Sequence, residues 1–325
     1  MGSCLLLFLA WLLVLSPFLT SNGFNFAGKT EANKSSLISS ALSQVVTKTL
    51  EFGTPTSMPP TRTPGPRTLE EAVKGVTVKW NKQLGANVES GIVVHNLDSG
   101  DKVSINGHKN FETASIYKLF VMLAVYYDVS QNNYSLETPI VLTGEAADAE
   151  EDGGLIIPLG QSLPVRDLLN AMITNSNNTA SLMLLFKVKT SRLPTLINIL
   201  GFKESDLSDS YDYHATPEDL DQFLSRLANQ KLLGPSYDQA MLDLLSRQNI
   251  KDRIPALLPP DTKVANKTGD LAGVYNDTGL VFLPNGQRLA ITVMVHNIDD
   301  MTLAPRFISE ISLAAYNFYT LANTP

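Results

Sequence analysis

Residues 113–127 read TASIYKLFVMLAVYY, a stretch that joins a Ser-x-x-Lys pair to a long apolar run. Ser115 and Lys118 open a run that is almost wholly apolar, which predicts a buried helix. Residues three positions apart lie on the same face of a helix, so the Lys118 amine can reach the Ser115 hydroxyl. Apolar neighbours exclude water and favour the neutral amine, which can act as a base. The pair therefore predicts a serine nucleophile that carries its own base.

Two further short motifs follow along the chain. Ser176-Asn177-Asn178 lies at a break between two predicted helices, where a hydroxyl can relay a proton and an amide can hold a carbonyl. Lys267-Thr268-Gly269 ends a predicted strand, where a cation and a hydroxyl suit a carboxylate and glycine permits close approach. Each motif alone also fits a structural role, such as helix capping by the asparagines. A chance S-x-x-K match at Ser99–Lys102, across a predicted hairpin turn, shows that order and setting matter more than any single motif.

Strand patterns lie at both ends of the folded part, and helix patterns lie in its middle. The residues Thr68-Leu-Glu-Glu71 resemble a capping box that opens the first helix. Strands are predicted at residues 89–96, 102–105, 262–268, 275–283 and 288–297. The pattern predicts helices at residues 115–127, 163–174, 179–186, 193–200, 217–228, 236–246 and 305–321.

This arrangement predicts an α+β fold. The terminal strands combine into one antiparallel sheet flanked by the first and last helices, and residues of about 111–255 form an all-helical subdomain. A ligand site is expected in the cleft between the two parts.

The first 67 residues differ in composition from the rest. Residues 4–19 are nearly all apolar, too short for a comfortable bilayer span of about 20 residues but suited to a signal-peptide core. We expect a signal peptide or N-terminal anchor at 1–21, a Pro/Thr-rich linker at 22–67 and a folded domain at 68–325. The expected location is the periplasm or the extracellular face of the cell envelope, with a membrane tether if the N-terminus is retained.

Composition excludes several classes of protein. Cys4 is the only cysteine, so the predicted domain has no disulfide, thiol nucleophile or thiolate metal site. The net charge of −7 argues against a nucleic-acid partner. The acidic run at 145–152 is expected to be a solvated loop, with a cation site as the alternative. No metal or cofactor is expected, and we expect a monomer.

The order of the three motifs resembles that of the penicillin-recognising serine hydrolases, and most closely that of the class A β-lactamase family. The resemblance spans residues of about 68–320. It includes Thr216-Pro217 at the start of a helix and Asn276-Asp-Thr-Gly-Leu280 after the third motif. It implies an exported serine hydrolase that acts on β-lactams or on D-Ala-D-Ala-like peptides through an acyl-enzyme.

The resemblance implies catalytic roles for four residues. Ser115 would be the acylated nucleophile and Lys118 its base, although the identity of this base is disputed for class A enzymes. Ser176 would pass a proton to the departing nitrogen. Lys267 would polarise Ser176.

It also implies the groups that bind the substrate. Asn178 would bind the amide carbonyl, and Thr268 would help to hold the substrate carboxylate. Gly269 would let the substrate backbone approach closely. The backbone N–H groups of Ser115 and Asp270 would form the oxyanion hole.

The chain departs from the family pattern at the loop that normally supplies a deacylating glutamate. The expected E-x-x-L-N pattern is missing from residues 200–216. Glu204 falls too early, and Asp209 and Asp212 are better placed but have shorter side chains. Our hypothesis is therefore that acylation proceeds while hydrolysis of the ester is slow.

Two smaller departures concern the motifs themselves. Asn177 replaces the usual acid of the second motif, which removes a buried charge. Asp270 follows the glycine of the third motif, where a small uncharged residue is common. Its carboxylate would repel a substrate carboxylate if the side chain faced the site.

Other readings of the chain stay open. A D,D-peptidase or a non-hydrolytic penicillin-binding or sensing protein would carry the same motifs. A Ser-His-Asp hydrolase is disfavoured, because the chain has no G-x-S-x-G elbow. The four histidines, His95, His108, His214 and His296, are expected to be structural, with His214 nearest to the site.

Overall fold

The computed structural model describes residues 65–147, 157–209 and 212–321. The predicted signal or anchor segment, nearly all of the linker and residues 148–152 of the acidic run lie outside the described residues. Within the described ranges, no helix combines the length and the apolar character needed to cross a membrane.

The secondary structure follows the predicted order except for the short helix α3 (Gly144–Ala147), which covers residues 145–147 of the acidic run that was expected to be a loop. The α-helices of the described residues are α1 Leu69–Leu84, α2 Lys118–Ser130, α3 Gly144–Ala147, α4 Val165–Thr174, α5 Asn178–Val188, α6 Leu193–Ile199, α7 Pro217–Ala228, α8 Pro235–Ser246 and α9 Leu303–Leu321. The strands are β1 Glu89–Asn96, β2 Lys102–Ile105, β3 Phe111–Glu112, β4 Pro139–Val141, β5 Ser162–Pro164, β6 His214–Ala215, β7 Val264–Leu271, β8 Val274–Phe282 and β9 Arg288–His296. The predicted cap of α1 is confirmed, because the Thr68 hydroxyl accepts from the Glu71 amide at 3.0 Å.

One antiparallel sheet carries the five long strands in the order β2-β1-β9-β8-β7. The N-terminal strand β1 pairs along its whole length with the C-terminal strand β9, as the pattern of terminal strands predicted. Helices α1 and α9 share a core with this sheet, in which the rings of Trp80 and Phe307 lie 6.1 Å apart. The sheet thus places β7 at an edge, where β8 is its one strand neighbour among the described residues.

The helical subdomain has its own core around α2. Phe120 of α2 packs edge-on against Phe202 and Phe223, with ring centroids 5.5 and 6.1 Å away. Every residue of α2 from Lys118 to Tyr126 is buried, because this helix is surrounded by α4, α5, α6 and α8. The predicted apolar helix is therefore the central element of the subdomain.

Two short strand pairs within this part of the chain were not predicted. Strand β4 pairs with β5, and β3 pairs with β6, each antiparallel. Segments of two or three residues are too short to show an alternating pattern, so their pairing depends on tertiary contacts. The β3–β6 pair matters for the site, because it ties the end of loop 200–216 to the residues just before Ser115.

Helices α1 and α9 are joined by a charged cluster around Glu310. Its carboxylate accepts from Lys79 Nζ at 2.7 Å, from Trp80 Nε1 at 2.8 Å and from Arg306 Nε at 3.0 Å. Burial opposes ionisation, but these three donors outweigh it and lower the pKa of Glu310 to about 2.

Replacing Glu310 by Gln should therefore destabilise the domain at neutral pH by about 1–3 kcal/mol, because three donors, among them the part-buried Trp80 N–H, lose a charged acceptor. The folded pKa lies below the ordinary value of 4.5, so this stability is present above that value and is lost as the pH falls towards about 2. Denaturant unfolding at several pH values measures both effects. The matched control is Glu70→Gln, whose exposed pair with Lys74 should contribute less than about 0.5 kcal/mol. Equal losses for the two variants would contradict the prediction.

Candidate active site

Ser115 lies in a 3-10 turn, Ala114–Tyr117, that leads directly into α2. The prediction placed it in the first turn of the α-helix itself. The tighter turn follows from Ala114, whose φ of 45° bends the chain just before the serine. Side chains three residues apart eclipse in a 3-10 turn, so Ser115 and Lys118 still share one face. Backbone strain of this kind is often found at functional sites.

The Lys118 side chain is completely buried. Its Nζ donates to the Ser176 carbonyl at 2.6 Å, to Asn178 Oδ1 at 2.7 Å and to Ser176 Oγ at 3.3 Å. Within the described residues these bonds go to the second motif and none goes to the Ser115 hydroxyl. Burial, followed by the nearby Lys267 cation, holds the pKa of Lys118 well below its usual value, while Asp270 acts in the opposite direction. Such an amine can accept a proton.

The second motif stands between two helices as predicted. Ser176 has a φ of 58°, and Asn177 caps α5 by accepting from the Ala180 amide at 2.7 Å. The asparagine in the middle of this motif is therefore a helix cap. Asn178 is exposed, and its Oδ1 already accepts from Lys118, so its Nδ2 is the group left to donate to a carbonyl.

Lys267 reaches the same serine from the sheet. Its Nζ donates to Ser176 Oγ at 2.9 Å and to the Thr268 carbonyl at 2.7 Å. The side chain is fully buried, and burial lowers its pKa to about 7, against the opposing effects of Asp270 and Asp277. Ser176 Oγ therefore lies between two lysine amines that come from different parts of the fold.

The end of β7 contains the remaining residues of the third motif. Thr268 and Gly269 are buried, whereas the Asp270 side chain is 45% exposed. The Asp270 carboxylate forms an ion pair with Arg253, whose side chain is 3% exposed. The negative charge that a substrate would meet at Asp270 is thereby compensated by a cation.

Arg253 is a site residue that the sequence did not reveal. Its Nη1 donates to the carbonyls of Asn276 at 2.9 Å and Gly269 at 3.3 Å, and its guanidinium lies 4.6 Å from the Tyr275 ring centre. Nothing in its sequence neighbourhood, Lys251-Asp-Arg-Ile254, forms a recognisable motif. The guanidinium reaches the end of β7 only because the loop that contains residues 251–254 passes beneath β7 and β8.

Gly269 has a packing role in addition to the one predicted. A Cβ on this residue would lie 2.6 Å from the Thr113 carbonyl oxygen and 3.1 Å from the Ile116 amide nitrogen. The absence of a side chain therefore lets β7 approach the turn that holds Ser115. This contact sets the distance between the first and third motifs.

The acids of loop 200–216 have other partners. Both Glu204 carboxylate oxygens lie within 3.1 Å of His108 Nδ1, and Glu204 also accepts from the Thr216 hydroxyl at 3.2 Å. The Asp212 carboxylate lies 3.5 Å from His214. The charge of Asp209 acts on the Tyr213 hydroxyl. Among the described carboxylates, the one that acts on Lys118 is Asp270, on β7.

An aromatic pair, Tyr117 and Tyr213, lies where loop 200–216 meets the turn that holds Ser115. The Tyr213 carbonyl accepts from the Thr113 amide at 2.8 Å, and the Tyr213 ring packs against the Tyr117 ring at a tilt of 49°, with centroids 4.8 Å apart. The Tyr117 hydroxyl in turn bonds to Ser181 Oγ at 2.9 Å. The loop therefore contributes a ring next to the Ser115 turn.

The four histidines have structural partners in the described residues. His95 bonds to Asp221 at 3.1 Å, His108 bonds to Glu204, and His296 Nε2 lies 3.0 Å from the Glu112 carbonyl. His214 pairs with Glu112 in the β3–β6 ladder. No group of three or more acidic, histidine or cysteine side chains able to hold a metal ion occurs in the described ranges.

Comparisons with known proteins identify the family and the fold of this chain. The model of the β-lactamase enzyme family matches residues 68–319. β-Lactamase VEB-1 of Pseudomonas aeruginosa is 26% identical over 273 residues, which cover 75% of this chain and 90% of VEB-1. A β-lactamase from Sphaerobacter thermophilus has a solved structure that matches with a TM-score of 0.71 at 27% identity, covering 78% of this chain and 99% of that one. The structure of PBP-A matches with the same TM-score at 23% identity, covering 79% and 99%.

The chain belongs to the β-lactamase enzyme family. It is a serine hydrolase of this family, and the resemblance to class A β-lactamases inferred from the three motifs is confirmed. The predicted α+β fold, with its antiparallel sheet, flanking helices and helical subdomain, is confirmed as well.

Replacing Gly269 by Ala should push β7 away from the Ser115 turn, because the new methyl group meets backbone atoms that cannot rotate aside. We expect the free energy of unfolding to fall by roughly 1–3 kcal/mol. Chemical denaturation provides the measurement. Gly75→Ala is the control, since Gly75 is an exposed helical residue with open space around it and should gain stability slightly. A Gly269→Ala protein as stable as the wild type would refute the packing role.

Proposed function

We propose that the protein opens β-lactam rings by forming an acyl-enzyme on Ser115 and hydrolyses this ester slowly. The observation that carries the proposal is the environment of Lys118. Two motif residues, Ser176 and Asn178, bind its amine, and none of the described acids of loop 200–216 acts on it. Acylation has its base, whereas the described acids Glu204 and Asp212 of this loop lie against His108 and His214.

The acylation step can be written for these residues. Lys118 accepts the Ser115 proton as Ser115 Oγ bonds to the lactam carbonyl carbon, and the carbonyl oxygen becomes an oxyanion held by the N–H groups of Ser115 and Asp270. When the carbon–nitrogen bond breaks, the proton passes from Lys118 through Ser176 to the lactam nitrogen. The contacts that support this relay are those of Ser176 Oγ with Lys118 and Lys267.

Substrate binding is assigned to the end of β7 and to the second motif. A substrate carboxylate binds to the polar edge that is formed by Lys267, Thr268 and the Arg253–Asp270 pair. The Asn178 amide donates to the carbonyl of the acyl side chain. Buried cations support this assignment, because water competes weakly with an anion there.

We further propose that the protein is exported and acts at the outer side of the cell membrane. The apolar residues 4–19 and the Pro/Thr-rich residues that follow support this location. The membrane tether and the monomeric state stay predictions.

A D,D-peptidase activity is the second candidate. It is favoured by the loop without a suitably placed acid, together with the fold similarity to PBP-A. A solved structure of a PBP-A mutant is an acyl-enzyme complex with penicillin G. Release of D-Ala from a peptide ending in D-Ala-D-Ala, absent for Ser115→Ala, would establish this activity.

Intact-mass analysis of the protein with excess benzylpenicillin tests the main proposal. We expect the mass to rise by one whole penicillin and the adduct to persist, because the described loop acids Glu204 and Asp212 lie against other partners. Ser115→Ala should abolish the adduct, whereas Ser99→Ala, in the chance S-x-x-K match, should keep it. Rapid appearance of ring-opened penicillin without a lasting adduct would overturn slow deacylation. Labelling that survives in Ser115→Ala would overturn the assignment of the nucleophile.

The pKa of Lys267 predicts how acylation depends on pH. Because burial lowers this pKa to about 7, the free protein loses the Lys267 proton as the pH rises through that value. The second-order rate constant of acylation should then fall about tenfold or more between about pH 7 and about pH 9. In Lys267→Arg the guanidinium stays charged, so this fall should disappear even if the absolute rate is lower. An unchanged profile in Lys267→Arg would contradict the assignment.

A further inference from the structure

Asp277 is a buried acid that the proposed mechanism leaves unused. It lies on β8, opposite Thr268 of β7, and is completely buried. A carboxylate in such a place needs hydrogen-bond donors or a nearby cation to stay charged. Its surroundings show what it is bound to.

Three hydrogen bonds reach the Asp277 carboxylate. The Ile254 amide donates to Oδ2 at 3.0 Å, and Asn266 Nδ2 donates to Oδ1 at 3.0 Å and to Oδ2 at 3.2 Å. Gly279 makes this possible, because a Cβ there would lie 2.6 Å from the Asn266 Cβ. One side of Asp277 is therefore joined to β7 and the other to the loop that precedes it.

The residue before Ile254 is Arg253, the cation that pairs with Asp270. The backbone following Arg253 is bound by Asp277, and the Arg253 guanidinium is bound by the carbonyl of Asn276, the residue preceding Asp277. The same guanidinium also donates to the Gly269 carbonyl and forms an ion pair with the Asp270 carboxylate. Two adjacent residues of β8 therefore fix Arg253: Asp277 binds the backbone that follows it, and Asn276 binds its guanidinium.

The groups around Asp277 act on the pKa of its carboxyl in opposite directions. Burial raises the pKa of Asp277 to about 7, while Asn266, Arg253 and the Ile254 amide favour its charged form and Asp252 opposes it. Its charge also acts on Lys251 and Lys267. Across the sheet its register partner on β9 is the apolar Val293.

We propose that Asp277 is a positioning residue that holds Arg253 beneath the end of β7, where the guanidinium compensates Asp270 and attracts the substrate carboxylate. Asp277 itself contacts no substrate. The inference rests on the proposed function for the identity of the substrate, but the position of Arg253 can be tested without any substrate.

The kinetic test compares benzylpenicillin with its methyl ester, which lacks the carboxylate. In Asp277→Ala we expect acylation by benzylpenicillin to slow about tenfold or more, and acylation by the ester to change less than about threefold, because only the acid uses the Arg253 charge. A purely structural role would slow both substrates equally, and that outcome would overturn the proposal.

Asp277→Asn should restore most of the benzylpenicillin rate. The side-chain oxygen of the new asparagine can accept from the Ile254 backbone amide. Its NH2 group can donate to Asn266 Oδ1 if the Asn266 side-chain amide flips by 180°. Asn266 Oδ1 is suited to this, since it is buried and has no hydrogen-bond partner within the described residues. A rate as low as that of Asp277→Ala would count against positioning through these bonds.

A second readout is the Nε–H signal of Arg253 in proton–nitrogen NMR spectra, assigned by its absence in Arg253→Lys. The signal should keep its position in Asp277→Asn and move towards that of exposed arginines in Asp277→Ala. If Asp277→Ala does not fold, Asp277→Leu fills the site without an acceptor and should show the same shift. An unmoved Arg253 signal in the acceptor-free variant overturns the inference.

The two proposals fail in different ways. A wild-type protein that benzylpenicillin never acylates refutes the proposed function, while the Arg253 signal still decides the role of Asp277. A wild-type protein that is acylated, with variants equal to it in rate and spectrum, refutes the role of Asp277 alone.

Discussion

The site depends on one constraint: two lysine amines are buried on either side of a single serine hydroxyl. Lys118 comes from the helical subdomain and Lys267 from the sheet, and both donate to Ser176 Oγ. Removing two ammonium groups from water is costly, and their mutual repulsion adds to the cost. The lowered pKa values of both lysines are the consequence of this burial.

Holding these groups together requires close backbone contacts. The turn at Ser115 contains a left-handed Ala114, Ser176 is itself left-handed, and Gly269 has no side chain to keep β7 away from the turn. Such conformations persist only where the surrounding packing determines them. Here the core around α2 and the five-stranded sheet provide that packing from opposite sides.

The charges at the edge of the sheet show how the protein accommodates an unusual residue. Asp270 follows the third motif where a carboxylate would repel an anionic substrate, yet it is paired with the nearly buried Arg253. The loop facing the Ser115 turn departs from the family pattern differently, since its acids bind His108, Thr216 and His214 instead of Lys118. Both departures leave the constellation of Ser115, Lys118 and Ser176 intact.

The sequence by itself determined the order of helices and strands, the α+β class and the three motifs, because periodicity and short spacing are local properties. It also exposed the missing glutamate pattern in residues 200–216. The 3-10 turn at Ser115, the short β3–β6 pair and the position of Arg253 were decided only by the tertiary structure. Their causes are contacts between residues far apart in the chain: Gly269 against Thr113, Glu112 beside His214, and Arg253 beneath Asn276. No local pattern encodes such contacts, since each exists only when two distant segments pack together.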